Sequence, residues 1–382
     1  MKKKLLVFAS TFPRWKNDTL PPFVYELSKR LTEEFDVSVL APSFPGAKDF
    51  EVMDKMKVYR FHYFIKRYEK LAGSGGILPT LKKNPLFFFQ VPFFLLGEYL
   101  ALKRAVQEIK PDVIHAHWII PQGWIASKIK KKFDVPYVVT SHGSDIMGLK
   151  GFLGIKKETL ENAKRITVVS DSIKKEIIKN IDSSLKNKIE IIPMGIDIKL
   201  FNPNKKDLSI KKKYNINGPF LLFVGRLAPE KGIDLLINAM PQVIKNNPKT
   251  KLLIIGDGTL KNNLKEQVKN LGIEKNIIFI GWVDNKDLPR YYATADLFVC
   301  PSLREGSPVS YVEALACGTN ILVGDIPISR ELIKKFGGNI TKHNSEDITK
   351  QIILSLRSKK KIKNVNDYDW TNVKSKFEGV LR

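Results

Sequence analysis

The run FLLFV is followed by Gly225-Arg226-Leu227-Ala228-Pro229-Glu230-Lys231-Gly232 and then by a helical pattern of apolar residues beginning near Ile233. Glycine lets a backbone come close to a ligand. Arg226 and Lys231 stand beside a helix N-terminus, where the positive dipole end and unpaired N–H groups favour an anion. Such a loop suits a diphosphate held without a metal, and equally a tight strand-to-helix turn with solvated bases. The next strand-like run ends at Gly256-Asp257-Gly258, a second glycine turn on the same edge, although it lacks the third glycine of a dinucleotide fingerprint. Residues 300–318, CPSLREGSPVSYVEALACG, run from a strand through a Gly/Pro loop into an Ala-rich helix, with Glu305 and Glu313 eight residues apart. Glu313 lies in an otherwise apolar helix, where an unpartnered carboxylate would be costly, and a ribose diol donating two hydrogen bonds is a suitable partner. Glu305, on the loop, is suited to the hydroxyls of a sugar beside the diphosphate. Two solvated glutamates flanking a turn is the plainer alternative.

These loops need a scaffold that aims them at one place. Short β-branched runs alternate with segments of helical periodicity, which predicts βαβ units and parallel sheets buried on both faces. Predicted strands cover 5–9, 37–41, 58–62, 112–117, 137–141, 166–169 and 190–192, then 220–224, 252–255, 277–280, 297–300 and 321–323. The segment 194–218, with Gly195, Pro203 and clustered lysines and asparagines, reads as a linker between two doubly wound domains. Such domains would face each other across a cleft, and ligands bind outside the carboxyl ends of their strands. A final helix over 367–381 shares Trp370, Val373, Phe377 and Leu381 on one face and could pack on either domain.

In this order and at these intervals, GRLAPEKG, GDG and EGSPVSYVEALACG resemble the C-terminal domain of the retaining GT-B glycosyltransferases of family 4. IIPMGIDIKLFNP is similar to the family's linker motif, and HAHWIIPQGW and VVTSHGSDI to its N-terminal domain, so the resemblance spans nearly the whole chain. It implies two Rossmann-like α/β domains: residues 1–193 for the acceptor and 219–365 for a nucleotide sugar, joined by 194–218, with a C-terminal helix at 366–382 free to pack back on the N-terminal domain. It implies that Arg226 and Lys231 neutralise the nucleotide diphosphate, that Glu313 binds the ribose and Glu305 the donor sugar, and that His142 lies near the transferred sugar. Gly225, Gly256, Gly258 and Gly306 would bring backbone to the donor. Retention would follow from same-face attack in which the departing phosphate helps deprotonate the acceptor, so the reaction needs neither metal nor cofactor beyond the nucleoside-diphosphate sugar. Where many relatives carry a Gly-Gly loop after the first strand, residues 10–22 read STFPRWKNDTLPP. Gly324-Asp325 stands where a glycine pair is common, so Arg330 and Glu331 receive no role.

The 382 residues carry 64 basic and 39 acidic side chains, a net +25 spread almost evenly over the two halves. That charge suits nucleic acid or an anionic membrane surface. The bases are mostly lysine, whereas base-reading sites favour arginine's planar fork, and Glu305 and Glu313 would repel phosphates, so nucleic acid is set aside. A nucleotide-sugar epimerase or a soluble-acceptor synthase of the same fold is the enzyme alternative. A Rossmann oxidoreductase lacks its GxGxxG. Two cysteines, Cys300 and Cys317, are too few for a disulfide framework and point to a reducing, cytoplasmic setting. The N-terminal MKKKLLVFAS is expected to be a buried strand rather than a signal peptide.

His115 and His117 sit two apart on a strand and share a face. A metal site would need a third ligand, so His117 is expected at a strand end beside the cleft and His115 in packing. Residues 86–102, LFFFQVPFFLLGEYLAL, form the most apolar stretch, and Gln90, Pro92, Gly97 and Glu98 argue against a membrane span. Two readings are open: a helix buried against the first sheet, or an interfacial anchor beside Lys82, Lys83, Lys103 and Arg104 that serves a lipid-linked acceptor.

Overall fold

The computed structural model describes the chain except residues 1, 17, 19–22, 73–75, 150 and 359, so part of the 10–22 loop lies outside the described residues. The chain divides into two compact units, Met1–Met194 together with Thr371–Arg382, and Gly195–Trp370. Each is built on one parallel sheet.

In the first unit the strands are β1 (Lys3–Phe8), β2 (Phe35–Pro42), β3 (Phe50–Met53), β4 (Met56–Phe61), β5 (Val113–His117), β6 (Tyr137–Ser141), β7 (Arg165–Val168) and β8 (Ile189–Ile191). Their order is β3-β4-β2-β1-β5-β6-β7-β8, parallel except for β3 against β4. Every residue of β5 and β6 is buried, as helices on both faces require. The second unit has β9 (Phe220–Val224), β10 (Lys251–Ile255), β11 (Ile277–Gly281), β12 (Leu297–Cys300), β13 (Ile321–Gly324) and β14 (Asn339–Thr341), all parallel in the order β11-β10-β9-β12-β13-β14. The order reverses between β9 and β12, and in open sheets the crevice at such a switch point is where ligands bind.

Two strands escape the sequence pattern. β3 has only Met53 buried, so its apolar alternation is weak, and it turns into β4 through Asp54 and Lys55, both at positive φ (44° and 70°). β14 is three residues long.

The segment 194–218 is not the free linker expected from its asparagines and lysines. Ile196, Phe201, Ile210 and Ile216 are buried in the hydrophobic core of the second unit, and short helices form at Pro203–Lys205 and Ser209–Lys213. Ile196 pairs with the strand-like stretch before the last helix, its N–H donating to the Tyr368 carbonyl at 2.7 Å. Gly195 is required there, because a Cβ would fall 2.4 Å from the Trp370 ring.

The last helix, Trp370–Leu381, buries Val373, Phe377 and Leu381, and from Thr371 onward it belongs to the first unit. Phe377 packs on His115 with ring centroids 5.4 Å apart, and the Arg382 guanidinium reaches Glu34 at 3.1 Å.

The apolar segment 86–102 buries one face against the first unit, as the first reading expects, and leaves the other face exposed. Pro85–Ile109 is a continuous helical stretch of 25 residues, longer than its proline suggested, and by length and composition enough to cross a membrane. Its main part, Val91–Ile109, buries Phe94, Glu98, Leu102, Ala105 and Val106 along one stripe. A Cβ on Gly97 would stand 3.0 Å from the His62 carbonyl oxygen, so glycine sets the close approach to the chain after β4. Glu98 on this stripe accepts from Gln122 Nε2 at 2.6 Å, and burial pushes its carboxyl up to about 8. A helix packed in this way is fixed to the sheet, while Phe93, Leu96 and Leu100 on its other face are exposed.

Candidate functional site

In the second unit the loops at the carboxyl ends of β9, β10 and β12 are knitted by backbone contacts that only glycine permits. Gly225 N–H donates to the Ile255 carbonyl at 3.0 Å and Leu227 N–H to the Asp257 carbonyl at 2.9 Å. A Cβ on Gly256 (φ 133°) would lie 1.9 Å from the Gly225 oxygen, and one on Gly258 2.3 Å from the Leu227 oxygen. These two turns therefore lie edge to edge. Gly232 (φ 62°) closes the turn before the helix Ile233–Asn246, and a Cβ there would strike the Pro301 oxygen at 2.3 Å, so the β9 loop also abuts the β12 loop.

Across that junction Lys231 forms an ion pair with Glu305, the two side chains only 16% and 10% exposed. Burial pushes the Lys231 ammonium down, but Glu305 and the neighbouring Cys300 outweigh it and hold the pKa above its ordinary value. Ser302 Oγ donates to the same Glu305 oxygen at 2.8 Å. His343 Nε2 stands 3.1 Å from the Ser302 carbonyl, and Gly324 leaves room for both. Arg226 is half-exposed and paired with Glu230 of its own turn, close enough to Lys231 for its charge to oppose that of the ammonium. Gly306 follows Glu305 in a half-buried turn.

Glu313 sits in the helix Val309–Ala316 and is buried, with Oε2 accepting from the Tyr292 hydroxyl at 3.0 Å. Burial pushes its carboxyl up to about 7, and the Tyr292 bond offsets part of that rise. Glu313 therefore has a hydrogen-bond donor inside the protein, which the sequence pattern did not indicate. Tyr292 and His343 were not marked by spacing, because each reaches the site from a different part of the chain, whereas Ser302 stood in the quoted loop three residues before Glu305 and was passed over. Both cysteines are free and buried, Cys300 with its Sγ 3.2 Å from Ser302 Oγ.

In the first unit His142 follows β6 and stacks on His117, with centroids 5.3 Å apart and planes 14° apart. His142 Nε2 lies 3.0 Å from His117 Nδ1, and His115 Nε2 lies 2.7 Å from Thr140 Oγ1. Among the described residues, His117 Nε2 and His115 Nδ1 are buried without hydrogen-bond partners. The tautomers that strand no buried N–H place the proton of His117 on Nδ1, donating to His142, and that of His142 on its own Nδ1. Burial, with His115 nearby, pushes His142 down to about 3, so its ring is neutral.

One residue that the motif contained but sequence reasoning passed over organises this turn. Buried Asp145 accepts from Gly143 N–H at 3.1 Å and Ser141 Oγ at 2.8 Å on one oxygen, and from Ile119 N–H at 2.8 Å on the other. It thereby clamps the His142 turn to the loop after β5. In that loop Trp118 is held at φ 75°, a region costing about 1–3 kcal/mol for a bulky residue, with its ring 4.9 Å from His142.

Residues 205–369 match Glycosyl transferases group 1, and residues 22–200 match Glycosyltransferase Family 4. The chain belongs to the group 1 glycosyltransferases. It is 31% identical to the alpha-monoglucosyldiacylglycerol synthase of Streptococcus pneumoniae, over 65% of this chain and 61% of that one. It is 29% identical to the UDP-Gal:alpha-D-GlcNAc-diphosphoundecaprenol alpha-1,3-galactosyltransferase of Escherichia coli, over 74% of this chain and 76% of that one. HepE of Anabaena, solved with UDP and glucose, shares the fold with a TM-score of 0.74 at 17% identity, covering 99% of both chains. Two parallel-sheet α/β domains of GT-B type are thus the architecture of this glycosyltransferase.

Proposed function

We propose that this group 1 glycosyltransferase moves a hexose-type sugar from a nucleoside-diphosphate sugar to a hydroxyl acceptor, with retention of configuration and without a metal or other cofactor. The observation that carries the reading is the buried Lys231–Glu305 pair slung between the β9 and β12 loops, beside glycine turns that pack the β9, β10 and β12 loops edge to edge. A diphosphate competes for Lys231 and for Arg226, releasing Glu305 to the hydroxyls of the donor sugar, while Glu313 takes the ribose diol. Gly225, Gly256, Gly258 and Gly306 bring backbone to the phosphates and sugar. The bond from the sugar's C1 to the departing phosphate oxygen breaks as the acceptor oxygen bonds to the same face. The acceptor's proton passes to the departing phosphate, so no side chain serves as nucleophile. His142, neutral with Nδ1–H to offer, acts as a hydrogen-bond donor near the sugar rather than as a proton shuttle. The names of the pneumococcal and E. coli relatives carry lipid acceptors, which supports a lipid-linked acceptor reached from the cytoplasmic side of a membrane.

A thermal-shift screen of UDP-, GDP- and ADP-sugars, followed by turnover with lipid and soluble acceptors, tests the reading. One nucleotide series should stabilise the protein and be consumed, with the product anomer matching the donor. No binding and no turnover across the panel would refute it.

Asp145 supplies a sharper check. In Asp145→Asn the amide NH₂ meets a backbone N–H, so one buried donor loses its acceptor at about 1–3 kcal/mol and the Trp118 and His142 loops loosen. Turnover is expected to fall about tenfold or more, while nucleotide affinity, which depends on the second unit, stays at its original value. Wild-type turnover in this variant would remove His142 from the reaction.

A further inference from the structure

The turn 85–90 and the helix after it present an apolar surface that the protein leaves uncovered. Leu86, Phe88, Phe89, Phe93, Leu96 and Leu100 are between 43% and 83% exposed. Phe89, Phe93, Leu96 and Leu100 follow one another at steps of four, three and four, which makes a single stripe opposite the buried one. The rings are mutually packed: Phe89 and Phe93 lie 5.6 Å apart, and Phe64 touches both at 6.3 and 5.5 Å. Exposed Ile65 and Tyr68 extend the patch, and Gln90 Nε2, donating to the Tyr68 carbonyl at 3.0 Å, ties the two segments together.

Around this patch stand exposed Lys66, Arg67, Lys70, Lys82 and Lys83. Among the described residues only Lys66 of these has a carboxylate partner, Asp49 at 3.4 Å. Glu69, the acid within the same segment, is buried against His62 and the backbone of Tyr63 and Phe64. A contiguous aromatic surface rimmed by cations matches the interface of an anionic bilayer, with rings in the acyl boundary and ammonium groups at the phosphates. A second copy fits poorly, because a two-fold contact would set the same basic rim against itself.

We propose that this face docks the enzyme on anionic lipid, Phe88, Phe89 and Phe93 entering the interface and Lys82 and Lys83 meeting headgroup phosphates. The placement suits the reading of a lipid-carried acceptor and rests on that reading for its purpose. The helix Ile77–Lys83 carries the two lysines at its end, and its Leu78 lies against Gly148, the last residue of the turn that follows His142. An acceptor rising from the bilayer at this rim would emerge beside the His142 turn.

Flotation of the full chain with vesicles at physiological salt tests the docking without donor or acceptor. Binding is expected to phosphatidylcholine vesicles containing phosphatidylglycerol and to be much weaker with phosphatidylcholine alone. Phe88→Ser/Phe89→Ser should lower partitioning by about tenfold or more, and Lys82→Glu/Lys83→Glu should abolish the preference for anionic vesicles. Both variants change exposed positions and should keep the wild-type thermal shift with nucleoside diphosphate. Absence of wild-type flotation, or a serine variant that floats like wild type, overturns the proposal. So does a wild-type dimer that the serine variant dissociates while neither floats. Because the vesicles carry no substrate, failure of the transferase assay with flotation intact would refute the functional reading alone.

Discussion

Lys231→Met is expected to lower kcat/KM by about 10²–10³-fold, as removal of a preorganised charge from a leaving-group site does elsewhere. It should also destabilise the second unit, since Glu305 keeps its buried position and its Ser302 contact but loses the ammonium. Breaking one side of a buried pair costs about 3–5 kcal/mol, whereas replacing both sides is often near neutral. The double variant Lys231→Met/Glu305→Gln separates the two effects. The amide oxygen that replaces the carboxylate can still accept from Ser302 Oγ, so thermal stability should return to within about 1 kcal/mol of wild type, while turnover stays at the level of the worse single variant. A second readout isolates the diphosphate. Wild type should bind a nucleoside diphosphate more tightly than the nucleoside, and Lys231→Met should erase most of that margin. Were the double variant to recover turnover along with stability, the pair would be a structural strut between two loops and the diphosphate would have to be held elsewhere.

The contrast between these loops and the groups around them explains what could be read from the sequence. Buried parallel strands are continuous apolar runs, so FLLFV and KLLII announce β9 and β10 directly, and glycines at their ends mark where backbone must pass backbone. Gly256 shows the limit of such marks: its spacing suggested a compact turn, but only the Gly225 oxygen 1.9 Å from a would-be Cβ explains why no other residue fits. Segment 194–218 was misread because its four core residues are scattered among lysines and asparagines at no fixed period, so composition dominated the pattern. Tyr292 and His343 reach the site through tertiary packing, and no local spacing encodes a tyrosine on one helix donating to a glutamate on another. Asp145 stood in plain view in SHGSD, but its importance lies in Ile119, 26 residues earlier, which a linear reading does not pair with it.

Glu313 should make nucleotide binding pH-dependent in a direction fixed by its burial. Its carboxyl, ordinarily near 4.5, is held at about 7 in the folded protein. Between those values the native state keeps a proton that the unfolded chain has released, so stability falls as pH rises from 4.5 to about 7 and is level above. The fall amounts to ~3 kcal/mol at about 1.4 kcal/mol per unit. Buried Glu98, raised to about 8, contributes with the same sign, so the Glu313 share is read as the difference between wild type and Glu313→Gln across pH 5 to 8. Binding runs the other way. A ribose diol donates two hydrogen bonds to an ionised carboxylate, and a protonated one must first give up its proton. Nucleotide affinity should therefore climb by about tenfold per unit as pH rises towards 7 and then level off. Tyr292→Phe removes the donor that favours the ionised form, so the levelling point should move to higher pH. Glu313→Gln should bind about tenfold or more weakly at pH 8 with the slope gone, and a nucleotide lacking both ribose hydroxyls should show no slope with wild type. Flat affinity for the intact nucleotide from pH 5 to 8 would mean that the ribose does not meet Glu313, and would leave the buried Tyr292–Glu313 pair as a packing feature of its helix.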